Sequence, residues 1–170
     1  MKVKTGTLSL LFLGAIGLSS TSWAIVDNDA DFDGVIDSID LDSDGDGLIE
    51  ISTIEQLDNI RNNLAGTAYN DGLTDDSTGC GNNNDITVCF GYELTNDLDF
   101  DTNLSGSIEE NDDYWNDGKG WNPIGSETEA FSAIFHGNDF SILNLYIDRG
   151  DSDYIGLFAS TLNATIKNIH

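Results

Sequence analysis

The chain has 170 residues, 31 of them Asp or Glu against six Lys or Arg, a formal net charge of −25 at neutral pH. So negative a field repels nucleic acid and anionic lipid and draws in divalent cations. Disorder, the other reading of such a charge, is opposed by Phe, Tyr, Trp, Ile and Leu at regular spacings and by the presence of only one proline, Pro123.

Lys2 and Lys4 precede an apolar run from Leu8 to Leu18, which gives way to Ser-Ser-Thr-Ser-Trp-Ala ending at Ala24. That order is a secretory signal peptide cleaved after Ala24, and the run is too short to span a bilayer, so no retained transmembrane helix is expected. Cleavage removes residues 1–24 and leaves 146 of the 170, enough for one modest domain. Only Arg61, Lys119, Arg149 and Lys167 then oppose the 31 acidic residues, a net charge of −27. The expected location is the cell surface, the outer membrane or the medium.

Residues 25–50 are read as an Asp-rich cation-binding segment. Asp29, Asp31, Asp33, Gly34, Val35, Asp37 and Asp40 occupy positions 1, 3, 5, 6, 7, 9 and 12 of one loop. Calcium takes six to eight hard oxygens, and carboxylates at positions 1, 3 and 5 converge only if the chain turns sharply at position 6, where glycine sits. Val35 would add its backbone carbonyl. A second loop starts thirteen residues later, with Asp42, Asp44, Asp46, Gly47, the Leu48 carbonyl and Glu50 at positions 1, 3, 5, 6, 7 and 9. Thr53 stands at its twelfth position, so Asp40 or Glu55 is expected to complete it. Clustered carboxylates without a cation repel one another, so Ca²⁺ should order the segment, with an affinity of roughly 10⁻⁴ to 10⁻³ M. The pattern at 29–37 and its Glu-ended copy at 42–50 resemble a thrombospondin type 3 repeat, a calcium-wrapping array of exported proteins.

A helix is predicted over 51–66. Ser52 is read as its N-cap with Glu55 closing a capping box, Ile54, Leu57, Ile60, Arg61 and Leu64 as one stripe, and Gly66 as its end. Residues 67–87 follow as a loop without regular elements. Cys80 and Cys89 are the only cysteines, and in an exported chain a structural disulfide pinning that loop is expected.

From 88 to 170 the pattern is of short strands. Val88, Phe90, Tyr92 and Leu94 alternate; Leu98 and Phe100 follow a polar break; a second group runs from Phe131 to Ile147 and a third from Tyr154 to Ile169. Ser141–Ile147 and Thr165–His170 match at an interval of 24 residues, which suggests a solenoid. Trp121-Asn-Pro-Ile-Gly125, Phe135-His-Gly-Asn138, Ile142-Leu-Asn-Leu145 and Tyr154-Ile-Gly-Leu-Phe158 resemble the repeats of the GLUG-motif family of bacterial surface proteins, adhesins and immunoglobulin A peptidases. That resemblance implies a right-handed parallel β-helix. The expected fold is therefore mainly β: an incomplete right-handed parallel β-helix with an N-terminal capping helix and the calcium-loop segment, the alternative being an antiparallel β-sandwich. The chain is expected to stop within a coil, as the front of a longer protein or with its edge covered by a partner.

No catalytic site is read in the chain. His136 lies in a turn, His170 is terminal, and no Ser-His-Asp arrangement or His-Glu-x-x-His is available. Arg149-Gly-Asp151 matches the integrin tripeptide, and Tyr114, Trp115 and Trp121 are candidates to stack on sugars. The expected function is a calcium-binding adhesion or interaction module whose partner is a surface glycan or a host or matrix protein. The rivals are the front of a polysaccharide-acting enzyme and a structural spacer.

Overall fold

A computed structural model of the chain describes residues 28–80 and 88–170. The expected signal peptide, its expected cleavage after Ala24 and the end of the disulfide-pinned loop lie outside the described residues. The regular structure is mainly short strands: β1 (Leu48–Ile51), β2 (Tyr69–Asn70), β3 (Asp75–Asp76), β4 (Gly91–Leu94), β5 (Leu98–Asp99), β6 (Ile134–His136), β7 (Ile142–Leu143) and β8 (Thr165–Lys167). Among the described residues one α-helix, α1 (Ile54–Asn59), follows β1.

The largest sheet orders its strands β1-β4-β6-β8, every neighbour parallel. Register places Ile49, Tyr92, Phe135 and Ile166 in one column, with Ile51 beside Leu94. Ile49, Tyr92, Phe135, Ile51 and Leu94 are buried and join Leu57, Ile60, Phe100, Trp121, Ile124 and Phe131 in one core. Each such side chain contributes roughly 1.5–3 kcal/mol on burial, which is what holds strands of three or four residues together. The other face of the sheet carries a second row, Glu50, Glu93, His136 and Lys167, at adjacent registers. All four residues of β4 are buried, as a parallel strand covered on both faces requires. Gly91 is needed there because a Cβ at that position would lie 2.5 Å from the Ile134 carbonyl oxygen.

Strand partners differ from the 24-residue interval read in the sequence. Matched positions are 43 residues apart from β1 to β4 (48 to 91) and from β4 to β6 (91 to 134), then 31 from β6 to β8 (134 to 165). Ile142 pairs with Leu98 in a second parallel pair, β5-β7, whereas Ile166 pairs with Phe135. The two look-alike stretches thus belong to different sheets; their shared pattern records which face is apolar, not which strand is the neighbour. Among the described residues antiparallel pairing is confined to β2-β3 and to one bridge, Gly120 to Ile147. A sandwich of antiparallel sheets therefore does not describe the main sheet.

The helix is shorter than predicted, and its N-cap falls one residue later. Thr53 is its N-cap, extended at φ −135° and ψ 158°, and its hydroxyl accepts from Gln56 N–H while the Gln56 side chain accepts from Thr53 N–H. Ser52 cannot take the role because Thr53, the residue after it, is itself extended and not helical, and Gln56, not Glu55, closes the capping box. The helix gives way to a 3-10 turn at Ile60–Asn62. Leu57 and Ile60 are buried, Ile54 and Leu64 half-buried, so the predicted stripe does face the core. Gly66 lies beyond the helix; a Cβ there would sit 2.6 Å from Gly91 Cα, so its role is close packing. The loop after it contains the hairpin β2-β3, whose two-residue strands are too short to leave a periodic trace.

Trp121 is 1% exposed, donates its indole N–H to the Leu157 carbonyl at 3.0 Å and meets Phe100 edge-on at 5.3 Å. It is a core residue, not a platform for sugar. Trp115 lies flat on Tyr146, their planes 14° apart. Arg149 turns inward as well: Nε donates to the Trp121 carbonyl at 2.9 Å and Nη2 to that of Gly120 at 3.2 Å. Arg149 of the Arg149-Gly-Asp151 tripeptide is therefore engaged with the protein's own backbone, while Gly150 and Asp151 are exposed. Among the described residues no helix is long and apolar enough to cross a membrane.

Candidate metal centre

The two Asp-rich loops adopt one conformation, set by the same local hydrogen bonds. In the first, Gly34 N–H donates to Asp29 Oδ2 at 3.2 Å, Asp33 N–H to Asp31 Oδ1 at 3.1 Å and Val35 N–H to Asp33 Oδ1 at 2.7 Å. In the second, Gly47 N–H donates to Asp42 Oδ2 at 2.9 Å, Asp46 N–H to Asp44 Oδ1 at 3.2 Å and Leu48 N–H to Asp46 Oδ1 at 2.9 Å. Position 6 has φ of 99° at Gly34 and 88° at Gly47, and position 4 has φ of 63° at Phe32 and 72° at Gly45. The sixth-position glycine supplies the left-handed turn that aims the preceding carboxylates inward.

The result is two trios of carboxylates. Asp29, Asp31 and Asp33 each offer an oxygen within 4.8 Å of the other two, and so do Asp42, Asp44 and Asp46. Three carboxylates at that spacing repel one another, by roughly 3 kcal/mol per ionised pair at an effective dielectric near 20. Burial adds to the cost. Among the described residues, the buried side-chain polar atoms without a hydrogen-bond partner are Asp29 Oδ1, Asp31 Oδ2, Asp40 Oδ2 and Asp42 Oδ1, all in this one segment. A buried acceptor left without a donor costs about 1–3 kcal/mol, more when it is charged. Carboxylate oxygens gathered in this way are a donor set for a hard divalent cation.

The remaining residues singled out in the sequence stand around the trios. Asp37 Oδ1 accepts from Ala30 N–H at 2.9 Å and closes the first loop. Asp40 is 8% exposed; Oδ1 accepts from Asp42 N–H at 2.8 Å, and Oδ2 is the unpartnered atom. Glu50 lies in β1 and accepts from the Ser43 hydroxyl, outside the second trio. Val35 and Leu48 contribute their amides to the turns. Cys80 and Cys89 form the expected disulfide.

Burial, more than charge, governs the acids here. The Asp42 carboxyl, fully buried, is pushed up to about 7 by desolvation and by the charges of Asp46 and Asp44, against the donor at Gly47. Asp40 and Asp46 are raised for the same leading reason. Glu93 is pushed up to about 7 by its own burial, aided by Asp46, Asp44 and Glu50 and opposed by Asn138, whose Nδ2 donates to it at 2.6 Å.

No protein-family model matches this chain, and no solved structure matches it significantly. Two known proteins are similar to part of it. Halomucin of Haloquadratum walsbyi is 37% identical over 102 residues, 57% of this chain and 1% of halomucin. A putative Gly-rich membrane protein of Evansella cellulosilytica is 30% identical over 120 residues, 70% of this chain and 10% of that protein. The chain thus spans a tenth or less of the length of either.

Sequence reading missed two features, one beside the centre and one elsewhere in the fold. Glu93 passes in the sequence for a solvent-facing strand residue, yet the second loop lies against that face of the sheet, and Glu93 is 4% exposed. The second is a loop of the same build at 101–112, with Asp101, Asn103, Ser105, Gly106, Glu109 and Asp112 at positions 1, 3, 5, 6, 9 and 12. Gly106 N–H donates to Asp101 Oδ2 at 2.7 Å and Ser105 N–H to Asn103 Oδ1 at 2.9 Å; φ is 56° at Leu104 and 90° at Gly106. Its spacing was there to be found. Here, though, Asp101 Oδ1 accepts from Ser105 N–H, and both Asp112 oxygens accept backbone N–H groups. The same frame without unpartnered oxygens shows that those of the first two loops are not a by-product of the loop conformation.

Proposed function

We propose that residues 29–50 hold calcium in two adjacent loops and that the bound ions stiffen the entrance to a stack of parallel β-coils. The four buried, unpartnered carboxylate oxygens carry this reading. Calcium suits them better than magnesium, which keeps its waters and demands an octahedron, whereas flexible Asp loops with carbonyls and six or more oxygens match the larger ion. The expected affinity, roughly 10⁻⁴ to 10⁻³ M, is that of extracellular modules.

The strand order supports a right-handed parallel β-helix: four strands stack in chain order, and parallel crossovers are right-handed in nearly all cases. The signal-like start, the acidic charge and similarity to a halomucin and a membrane protein support an exported, surface-located adhesion or interaction module. Calorimetric titration of the chain with Ca²⁺ tests the central claim. Heat saturating at millimolar ion, reduced in Asp29→Asn/Asp31→Asn and in Asp42→Asn/Asp44→Asn, is expected. No heat beyond that of a variant lacking both sets, together with unchanged hydrogen exchange over 29–50, would overturn it.

A further inference from the structure

The second loop does not stand alone; it rests on the two chain segments that the disulfide joins. At its entrance, Leu41 N–H donates to the Thr78 carbonyl at 3.2 Å. The Asp40 carboxylate lies so close over Gly79 that a Cβ there would fall 1.5 Å from Asp40 Oδ1. In its middle, Phe90 N–H donates to the Gly47 carbonyl at 3.0 Å, and a Cβ on Gly47 would fall 2.2 Å from Phe90 Cε1. Thr78 and Gly79 immediately precede Cys80, and Phe90 immediately follows Cys89. The disulfide therefore joins two supports that grip the loop at its entrance and at its sixth position. Two carboxylates in that grip, Asp40 at 8% and Asp42 at 0% exposure, each hold one buried oxygen without a partner.

We propose that the Cys80–Cys89 disulfide and the second cation loop are linked: the closed disulfide raises the loop's affinity for Ca²⁺, and bound Ca²⁺ protects the disulfide from reduction. This rests on the calcium reading above. With the bond closed, the supports are held at the separation that points Asp40 and Asp42 inward, so little ordering remains for the ion to impose. With it open, the ion must also bring the supports together. Thermodynamic reciprocity then requires that whatever factor the disulfide adds to ion affinity, the ion adds to the disulfide's resistance. A dithiol breaks the single S–S bond, leaving two thiols on the protein and closing its own disulfide; two electrons and two protons move, and the ion keeps its charge.

Two measurements on the full chain decide the matter. The first compares Ca²⁺ affinity of the oxidised protein with that of Cys80→Ser/Cys89→Ser, where a loss of roughly tenfold is expected, within the usual range of site-to-site coupling. The second follows thiol release from the unaltered protein under dithiothreitol, with CaCl₂ or with KCl of equal ionic strength. Ca²⁺ is expected to shift the reduction equilibrium by the same factor, and the shift should vanish in Asp42→Asn/Asp44→Asn/Asp46→Asn. This arm stands even if the double serine variant fails to fold. Oxidised protein that binds Ca²⁺ but shows neither effect overturns the linkage and leaves the calcium reading intact. Oxidised protein that binds no Ca²⁺ overturns both.

Discussion

Replacing Asp42 by asparagine isolates the electrostatic cost that a cation is proposed to relieve. Asp42 is fully buried, and its carboxyl stands at about 7 against an ordinary 3.8. At 1.36 kcal/mol per unit, a difference of about three units corresponds to as much as about 4 kcal/mol. The folded chain holds this proton more tightly than the unfolded chain. The carboxyl's contribution to stability is therefore fully present below about pH 3.8 and is lost as pH rises through about 7. Metal-free protein should weaken across that window, and Ca²⁺ should restore stability near neutrality by taking the proton's place. The substituted amide would keep the shape and an oxygen for Gly47 N–H while removing the charge. Urea unfolding followed by tryptophan fluorescence, between about pH 5 and 8 with chelator or with millimolar Ca²⁺, reads the effect. The difference between wild type and Asp42→Asn should grow with pH and shrink with Ca²⁺; Glu93→Gln controls for the neighbouring carboxyl that also stands at about 7. A variant with the same pH slope as wild type, or metal-free stability that rises from about pH 5 to 7.5 by an amount Asp42→Asn does not change, would refute the reasoning.

Thr53→Ala should cost about 1 kcal/mol by removing the helix cap, while Ser52→Ala should stay within about 0.5; equal losses in urea would argue against Thr53 as the cap. Arg149→Lys should lower stability by about 1–3 kcal/mol, since a lysine cannot reproduce the guanidinium fork on the Trp121 and Gly120 carbonyls; an unchanged unfolding midpoint would show the clamp to be idle. Gly47→Ala should cost about 1–3 kcal/mol through the Phe90 contact and the backbone at φ 88°, and it should weaken Ca²⁺ binding. Gly34→Ala meets nothing within 4 Å and carries the backbone strain alone, so its loss should be the smaller. Chemical denaturation and calcium titration of both glycine variants check that order.

The conformation of the two Asp-rich loops was legible because their geometry is local. Within each, the hydrogen bonds run from position 6 to 1, 5 to 3 and 7 to 5, so Asp29–Val35 and Asp42–Leu48 hold the information that shapes them. The disulfide was legible for a simpler reason, two cysteines in a chain read as exported. The helix stripe survived because the 3.6-residue period exposes it, but its start did not: Ser52 and Thr53 are both cap-forming residue types, and only the extended backbone of Thr53 decides between them.

What the amino-acid order determined by itself is the pair of carboxylate loops, the apolar faces of the short strands and the crossbridge between Cys80 and Cys89. Tertiary structure alone decided that Ile166 sits beside Phe135 rather than in register with the look-alike Ile142, that Trp121 and Arg149 bond to the protein's own backbone, and that Glu93 is buried with Asn138 on its carboxylate. The physical reason is range. A turn closed by its own side chains is settled within about seven residues, whereas a strand's neighbour 43 residues away is chosen by the summed fit of a whole core, which no short stretch of chain can express.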